Sequence, residues 1–216
     1  MGLKAPFIDI MTTHIKATHG KLDGLKIMEF GNQIIRPSPG LTEKTGKEYW
    51  KKQKMEHVSV DVNGLDGALK KDLSNVQDFV EYENYFDVVY NAGTSEHIEP
   101  YAAQYDCFQI ADMITKPGGL MIHGVPEIKN RDISGVWLDH CRYYYSEKFF
   151  NTLAEESNYK ILFLKVFKTN VTAVFQKTEN SVFMKDKHKF LSNIAIRNEK
   201  INFAKNTNYI YQKGNK

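Results

Sequence analysis

Apolar residues along this chain fall in short blocks divided by turn-forming residues, and the blocks change period. Residues 26–30 (Lys-Ile-Met-Glu-Phe) follow the Asp23-Gly24 turn and predict a first strand. Residues 58–62 (Val-Ser-Val-Asp-Val) alternate less than a half-exposed strand would, which predicts a buried parallel strand. A very short strand is expected to end at Lys71. Residues 86–90 (Phe-Asp-Val-Val-Tyr) are β-branched and aromatic and stop at Asn91-Ala92-Gly93, the clearest strand pattern of the chain. Lys116-Pro117-Gly118-Gly119 precedes another strand at 120–124. Residues 160–167 and 171–176 read as a closing antiparallel pair with a turn near Thr169-Asn170. Helical periodicity marks residues 8–18, 48–54, 76–82 and 100–115, the last with Tyr101, Tyr105, Phe108, Ala111 and Met113 as its apolar positions. A further helix at 146–158 has Ser146 at its N-cap and Glu147 at its positive end. Residues 34–46 carry Pro37, Pro39, Gly40 and Gly46 and read as a loop.

Strands alternating with helices, followed by a terminal hairpin, give an α/β fold: a doubly wound, mostly parallel sheet with an antiparallel end. Three segments are expected. Residues 1–24 form an N-terminal arm or lid, residues 25–178 the main domain, and residues 179–216 a basic helical tail. The tail's helix spans about 186–204, with Phe190, Ile194, Ile201 and Phe203 as its partial apolar face.

The chemistry lies at the ends of the predicted strands. Glu29 and Asp61 close the first two, and Asp72 follows shortly after. Acidic residues at consecutive strand ends line the carboxyl edge of a parallel sheet, where open α/β folds bind ligands. A carboxylate about 20–30 residues beyond a glycine turn suits a ribose diol, which presents two hydroxyl donors. The pattern therefore points to a nucleoside-containing cofactor. A nicotinamide dinucleotide is disfavoured. Its G-x-G-x-x-G turn sets a pyrophosphate on a helix N-terminus, and residues 31–36 read Gly-Asn-Gln-Ile-Ile-Arg.

Composition narrows the partners. The 216 residues are 42% hydrophobic and 12% aromatic, enough for a sizeable core. The net charge of +3 is mild and argues against nucleic acid, whose footprint is a concentrated basic face. No run of 18 apolar residues exists to span a membrane, and the start, Met-Gly-Leu-Lys-Ala-Pro, lacks the order of a signal peptide. Cys107 and Cys141 stand without CxxC spacing, as reduced thiols would. A cytoplasmic protein is expected.

The segments Ile-Met-Glu-Phe-Gly-Asn (27–32), Val-Ser-Val-Asp (58–61), Lys-Asp-Leu (71–73), Phe-Asp-Val-Val-Tyr-Asn (86–91) and Lys-Pro-Gly-Gly-Leu-Met-Ile-His (116–123) together resemble class I S-adenosylmethionine-dependent methyltransferases, in the family's order from about residue 25 to 176. The resemblance implies a Rossmann-like sheet of seven strands ending in a hairpin. It also implies S-adenosylmethionine as cofactor and methyl transfer to a hydroxyl or amine of a small molecule or glycan precursor. One departure is that the first loop carries a single glycine, Gly31, where the family usually has two or three. A non-catalytic domain of the same fold, binding the cofactor for regulation or as a scaffold, is the competing reading.

Carried over residue by residue, the resemblance assigns cofactor contacts to Glu29, Gly31, Asn32, Gln33, Asp61, Asn63, Asp72, Leu73, Asn91, Gly93 and Thr94. Asn32 and Gln33 would address the methionine carboxylate or amine, and Asp61 the ribose hydroxyls. Bland readings stand beside several of these. Glu29 can be a solvated loop carboxylate, Asp61 a turn-former, and Asp72-Leu73 an N-cap with a core leucine. Glu96-His97 looks like the Glu-His pair of many small-molecule methyltransferases. His97 is the first candidate for a general base and His140 the second, with a structural histidine as the alternative for His97. His97, His123 and His140 could share one mouth, but their spacings match no metal-ligand motif, so no metal is expected.

Overall fold

The computed structural model describes residues 2–130 and 140–197. Helix α1 (Ala5–His19) opens with proline in its first turn and closes on Gly20, whose φ of 73° only a residue without a Cβ adopts cheaply. Strand β1 (Lys26–Phe30) follows. Helix α2 (Gly46–Lys52) is capped by Thr45, which accepts from the Glu48 amide, and leads to β2 (Glu56–Val60). Then come β3 (Phe86–Ala92), α3 (Ala103–Ile114) and β4 (Thr115–Pro126). Helix α4 (Glu147–Ser157), β5 (Lys160–Phe167), β6 (Asn170–Gln176) and the short α5 (Lys187–Ser192) complete the fold.

The central sheet has the order β2-β1-β3-β4-β6-β5. The first four strands are parallel, and the last two pair antiparallel at one side. Successive strands are added on opposite sides of β1, β2 on one and β3 on the other, and this change of side is the switch point where a crevice forms at the strand ends.

Strand parity sorts two cores. Ile27, Val88, Tyr90, Leu120 and Ile122 pack under α1 and α2 with Ile8, Met11, Ile15 and Trp50. Met28, Phe30, Val89, Met121 and Val125 pack under α3 and α4 with Phe108, Phe149 and Phe150. With both faces covered, the inner strands carry near-continuous apolar runs, as their sequences indicate.

The sheet has six strands, not seven. The short strand expected to end at Lys71 contracts to one parallel bridge, Val60 to Leu69. The chain before it turns through Gly64, Asp66 and Gly67, all at positive φ, and leaves too little extended backbone for a ladder. Other boundaries shift. Residues 76–82 wind as a 3₁₀ helix, and residues 34–35 pair in parallel with residues 2–3. The tail helix stops at Ser192 and is followed by residues 195–196 pairing with 143–144. Ile201 and Phe203, expected on its apolar face, lie outside the described residues. Among the described residues no helix is long and apolar enough to cross a membrane.

Candidate functional site at the carboxyl edge of the sheet

The end of β1 and the turn after β3 meet at the switch point. Gly31 takes φ 79° directly after β1, and its amide donates to the Val60 carbonyl at 2.8 Å. A Cβ there would lie 2.5 Å from Thr94 Oγ1 and 2.8 Å from Gln33 Nε2. The missing side chain therefore lets two polar groups close over the strand end. Thr94 Oγ1 donates to the Phe30 carbonyl at 2.7 Å. Gln33 Nε2 donates to the same carbonyl at 3.2 Å and to Thr94 Oγ1 at 3.1 Å. Gln33 Oε1 is buried and has no hydrogen-bond partner, an acceptor left unused in the turn.

Asp61 stands at the end of β2, half-buried. One carboxylate oxygen accepts from the Asn32 amide at 3.2 Å and the other from the Asn63 amide at 3.0 Å. Each oxygen keeps acceptor capacity for a further donor. Asn32 turns its side chain to the Leu65 carbonyl and to Asp66 Oδ2, at 3.3 and 3.0 Å. The structure thus brings Gly31, Asn32, Gln33, Asp61, Asn63 and Thr94 into one constellation.

Glu29 belongs to it only indirectly. It shares parity with Ile27, so its carboxylate points into the core and is fully buried. Oε1 accepts from the Gln33 amide at 2.6 Å. Oε2 takes His57 Nε2 at 3.1 Å and a short bond from the Tyr90 hydroxyl, which itself accepts from Trp50 Nε1 at 3.2 Å. Burial pushes the Glu29 pKa up while His57 and the Gln33 amide oppose the shift. Gly46 completes the fit, because a Cβ there would sit 2.1 Å from Glu29 Oε2. Any effect of Glu29 on a ligand passes through the turn it holds. The partners His57, Tyr90, Trp50 and Gly46 were not legible as site residues. The parity of Glu29 was the one available signal, since an inward carboxylate requires buried donors.

Asp72 and Leu73 lie apart from the switch point in role. Asp72 is exposed and Oδ1 accepts from the Ser74 amide at 2.8 Å. Leu73 is a core residue. Asn75, not Asp72, caps the following 3₁₀ helix.

Asn91 is buried and organises the next turn. Oδ1 accepts from the amides of Thr94 and Ser95, both at 3.1 Å, and Nδ2 donates to Ser95 Oγ at 2.8 Å. Gly93, at φ 77°, makes the turn possible. Gln104, from α3, donates to the carbonyls of Ser95 and Ile98 at 2.7 Å each. The Tyr145 hydroxyl reaches Gln104 Oε1 at 2.5 Å and Ser95 Oγ at 2.9 Å. Sequence reading missed Gln104; it and Tyr145 act on this turn across 9 and 50 positions of chain.

The two candidate bases do meet. The rings of His97 and His140 stand edge to face with centroids 4.8 Å apart. The His97 side chain is 27% exposed, and its Nε2 lies 4.0 Å from Glu96 Oε1. Burial first, then the His140 ring, pull the His97 pKa down to about 3, and burial lowers that of His140. Glu96 is fully buried with neither oxygen hydrogen-bonded, and burial pushes its pKa up to about 8. His123 does not join them. It lies among Phe108, Phe150 and Phe175, stacked on Phe108 at 4.9 Å, and burial drops its pKa to about 3. Among the described residues no group of three or more His, Cys, Asp or Glu is arranged to hold a metal ion.

No family model matches the sequence, and no curated protein does. Solved structures do match the fold. A Burkholderia thailandensis 1,6-didemethyltoxoflavin-N1-methyltransferase, crystallised with 1,6-didemethyltoxoflavin and S-adenosylhomocysteine, superposes with a TM-score of 0.54 at 14% identity. The match covers 78% of this chain and 76% of that one. An O-methyltransferase family protein of the same organism gives 0.52 at 10% identity, over 79% of this chain and 56% of that one. A putative S-adenosyl-L-methionine-dependent methyltransferase of Methanococcus maripaludis gives 0.50 at 18% identity, over 83% and 89%. The six-stranded sheet with its antiparallel hairpin thus shares the fold of these S-adenosylmethionine-dependent methyltransferases.

Proposed function

We propose that this chain is an S-adenosylmethionine-dependent methyltransferase acting on a small molecule. The observation that carries the reading is the switch-point constellation. A half-buried Asp61 with spare acceptor capacity faces the single-glycine turn, within a fold shared with such enzymes. The residues fit the cofactor. Asp61 would take the ribose hydroxyls, and the unused acceptor Gln33 Oε1 suits an ammonium donor such as the amino group of a methionine moiety. Residues 31–33 supply a turn that needs no second glycine, since the ligand carries no pyrophosphate to cradle.

When bound, the cofactor supplies a methyl group on a sulfonium, open to in-line displacement. The work left to the chain is positioning, and holding two reacting atoms near contact distance can supply about 7–11 kcal/mol of a barrier. Asn91, Gln104 and Tyr145 fix the backbone of residues 94–98 for that purpose. His97 is the proposed base and His140 the second candidate. With a pKa of about 3, His97 is neutral at physiological pH and therefore able to accept a proton, yet it holds one weakly. A base that holds its proton weakly suits an acceptor that loses its own easily, with proximity carrying most of the rate.

Calorimetric titration with S-adenosylmethionine, S-adenosylhomocysteine and NAD tests the reading. The two sulfur ligands are expected to bind and NAD not to. Binding of NAD without S-adenosylhomocysteine would sink it.

A further inference from the structure

Gln33 is held at every polar atom but one. Its amide donates to Glu29 Oε1 at 2.6 Å, and its carbonyl accepts from the Gly46 amide at 2.9 Å. Its side-chain Nε2 donates to the Phe30 carbonyl at 3.2 Å and to Thr94 Oγ1 at 3.1 Å. What is left is Oε1, buried and without a hydrogen-bond partner. An open acceptor on a residue fixed at all its other polar atoms is a seat for a donor that the chain does not supply.

The hold on Gln33 runs back into the core. Glu29 is fully buried, and two further donors meet it at Oε2: the Tyr90 hydroxyl, and His57 Nε2 at 3.1 Å. The His57 side chain is buried as well, and Trp50 Nε1 donates to the Tyr90 hydroxyl at 3.2 Å. A carboxylate only accepts, so these donors fix how the Glu29 group is turned, and with it where Oε1 meets the Gln33 amide. The preceding residue hangs on a different carboxylate. The Asn32 amide donates to Asp61, and its side chain reaches the Leu65 carbonyl and Asp66. Consecutive residues of one turn are thus anchored separately, one in the core and one at the half-buried Asp61.

We propose that His57 and Tyr90 are positioning residues for the amino-acid end of the cofactor, acting through Glu29 and Gln33, while Asp61 serves the nucleoside end independently of them. The proposal rests on the methyltransferase reading. Loss of either donor leaves a buried carboxylate short of a partner, which turns it or protonates it. The Gln33 amide then loses its anchor, and Oε1 moves away from the ammonium group it is set to accept from. The contacts at Asp61 stay as they are.

The experiment titrates two ligands into parent and variants by calorimetry. One is S-adenosylhomocysteine. The other is methylthioadenosine, which keeps the nucleoside and the sulfur but lacks the amino-acid end. In the parent, S-adenosylhomocysteine is expected to bind the more tightly. Tyr90→Phe and His57→Leu each remove one donor. Each should weaken S-adenosylhomocysteine about tenfold, the usual contribution of a hydrogen bond to a charged group, and leave methylthioadenosine unchanged. His57→Gln offers an amide donor in place of Nε2 and should restore affinity. Asp61→Ala should weaken both ligands. If His57→Leu fails to fold, Tyr90→Phe, which keeps the ring, carries the test. Equal weakening of both ligands, or unchanged S-adenosylhomocysteine affinity in folded variants, overturns the positioning role and leaves the cofactor reading intact. A His57→Gln protein as weak as His57→Leu overturns the part given to the Nε2 donor. A parent that binds both ligands equally shows that Gln33 meets no amino-acid end, and the inference falls while the assignment of Asp61 stands. A parent that binds neither removes the methyltransferase reading and the positioning role together.

Discussion

At the scale of single residues, the site separates groups that face a ligand from groups that hold those groups in place. Asp61 is of the first kind. Removing its carboxylate takes away acceptors, each worth about 0.5–1.5 kcal/mol. Asp61→Ala should therefore weaken S-adenosylhomocysteine binding at least several-fold by calorimetry. It also frees the Asn32 and Asn63 amides, so circular dichroism must show an intact fold. Unchanged affinity in a folded Asp61→Ala protein means that the ribose lies elsewhere. His97 allows a test that needs no acceptor. With its pKa near 3, a histidine-labelled sample followed by NMR should show the His97 ring neutral down to about pH 4, whereas a solvent-exposed imidazole titrates near 6.5. A midpoint at ordinary values would show that the ring is open to water in solution. Once an acceptor is known, His97→Ala should lower turnover roughly 100-fold if the ring is the base. Loss of stability without that drop would assign it a structural role.

At the scale of elements, turns decide more than strands. Gly31→Val drives a branched side chain into the space of Thr94 Oγ1 and Gln33 Nε2, and it does so at a φ that β-branched residues avoid. The bonds across the switch point should break, and S-adenosylhomocysteine binding should be lost from a protein that still melts cooperatively. Retained tight binding would show that the cofactor does not depend on this turn. Ser146→Ala removes the cap that accepts from the Phe149 amide at 3.1 Å. Chemical denaturation should register a loss of about 0.5–2 kcal/mol. Elements of this kind were readable from local signals. The Ser146 cap, the strand at 86–92 and the closing hairpin all announce themselves within a few residues. The seventh strand did not, because its fate depends on positive-φ turns at Asp66 and Gly67 that composition alone does not reveal. In the site, Gly31 and Asp61 stood out by their place at strand ends. The inward carboxylate of Glu29, with His57, Tyr90 and Gly46 around it, depended on partners 28, 61 and 17 positions away, and no local pattern encodes such a cluster.

At the scale of the whole molecule, the buried ionisable groups pull stability in opposite directions with pH. His123 has its folded pKa lowered to about 3 from 6.5. The unfolded chain takes up this proton first, so the histidine's favourable contribution is complete above about pH 6.5 and is lost as pH falls towards 3. Glu96 runs the other way, its folded pKa being raised to about 8 from 4.5. The native state holds this proton longer, so the contribution is complete below about pH 4.5 and is lost as pH rises through 8. Two substitutions separate the terms, since every other group is common to variant and parent. His123→Phe keeps a ring against Phe108 and Phe150 and removes the proton site. Relative to the parent, it should be more stable at pH 5 than at pH 7.5. Glu96→Gln keeps the shape and removes the charge, so its advantage should appear at pH 8 and vanish at pH 4.5. Denaturant midpoints of the three proteins across this range decide the matter. Parallel curves for parent and Glu96→Gln would mean that the carboxyl finds a partner or water in solution. The acid carried between Ser95 and His97 would then be an ordinary ionised group rather than a neutral one held beside the candidate base.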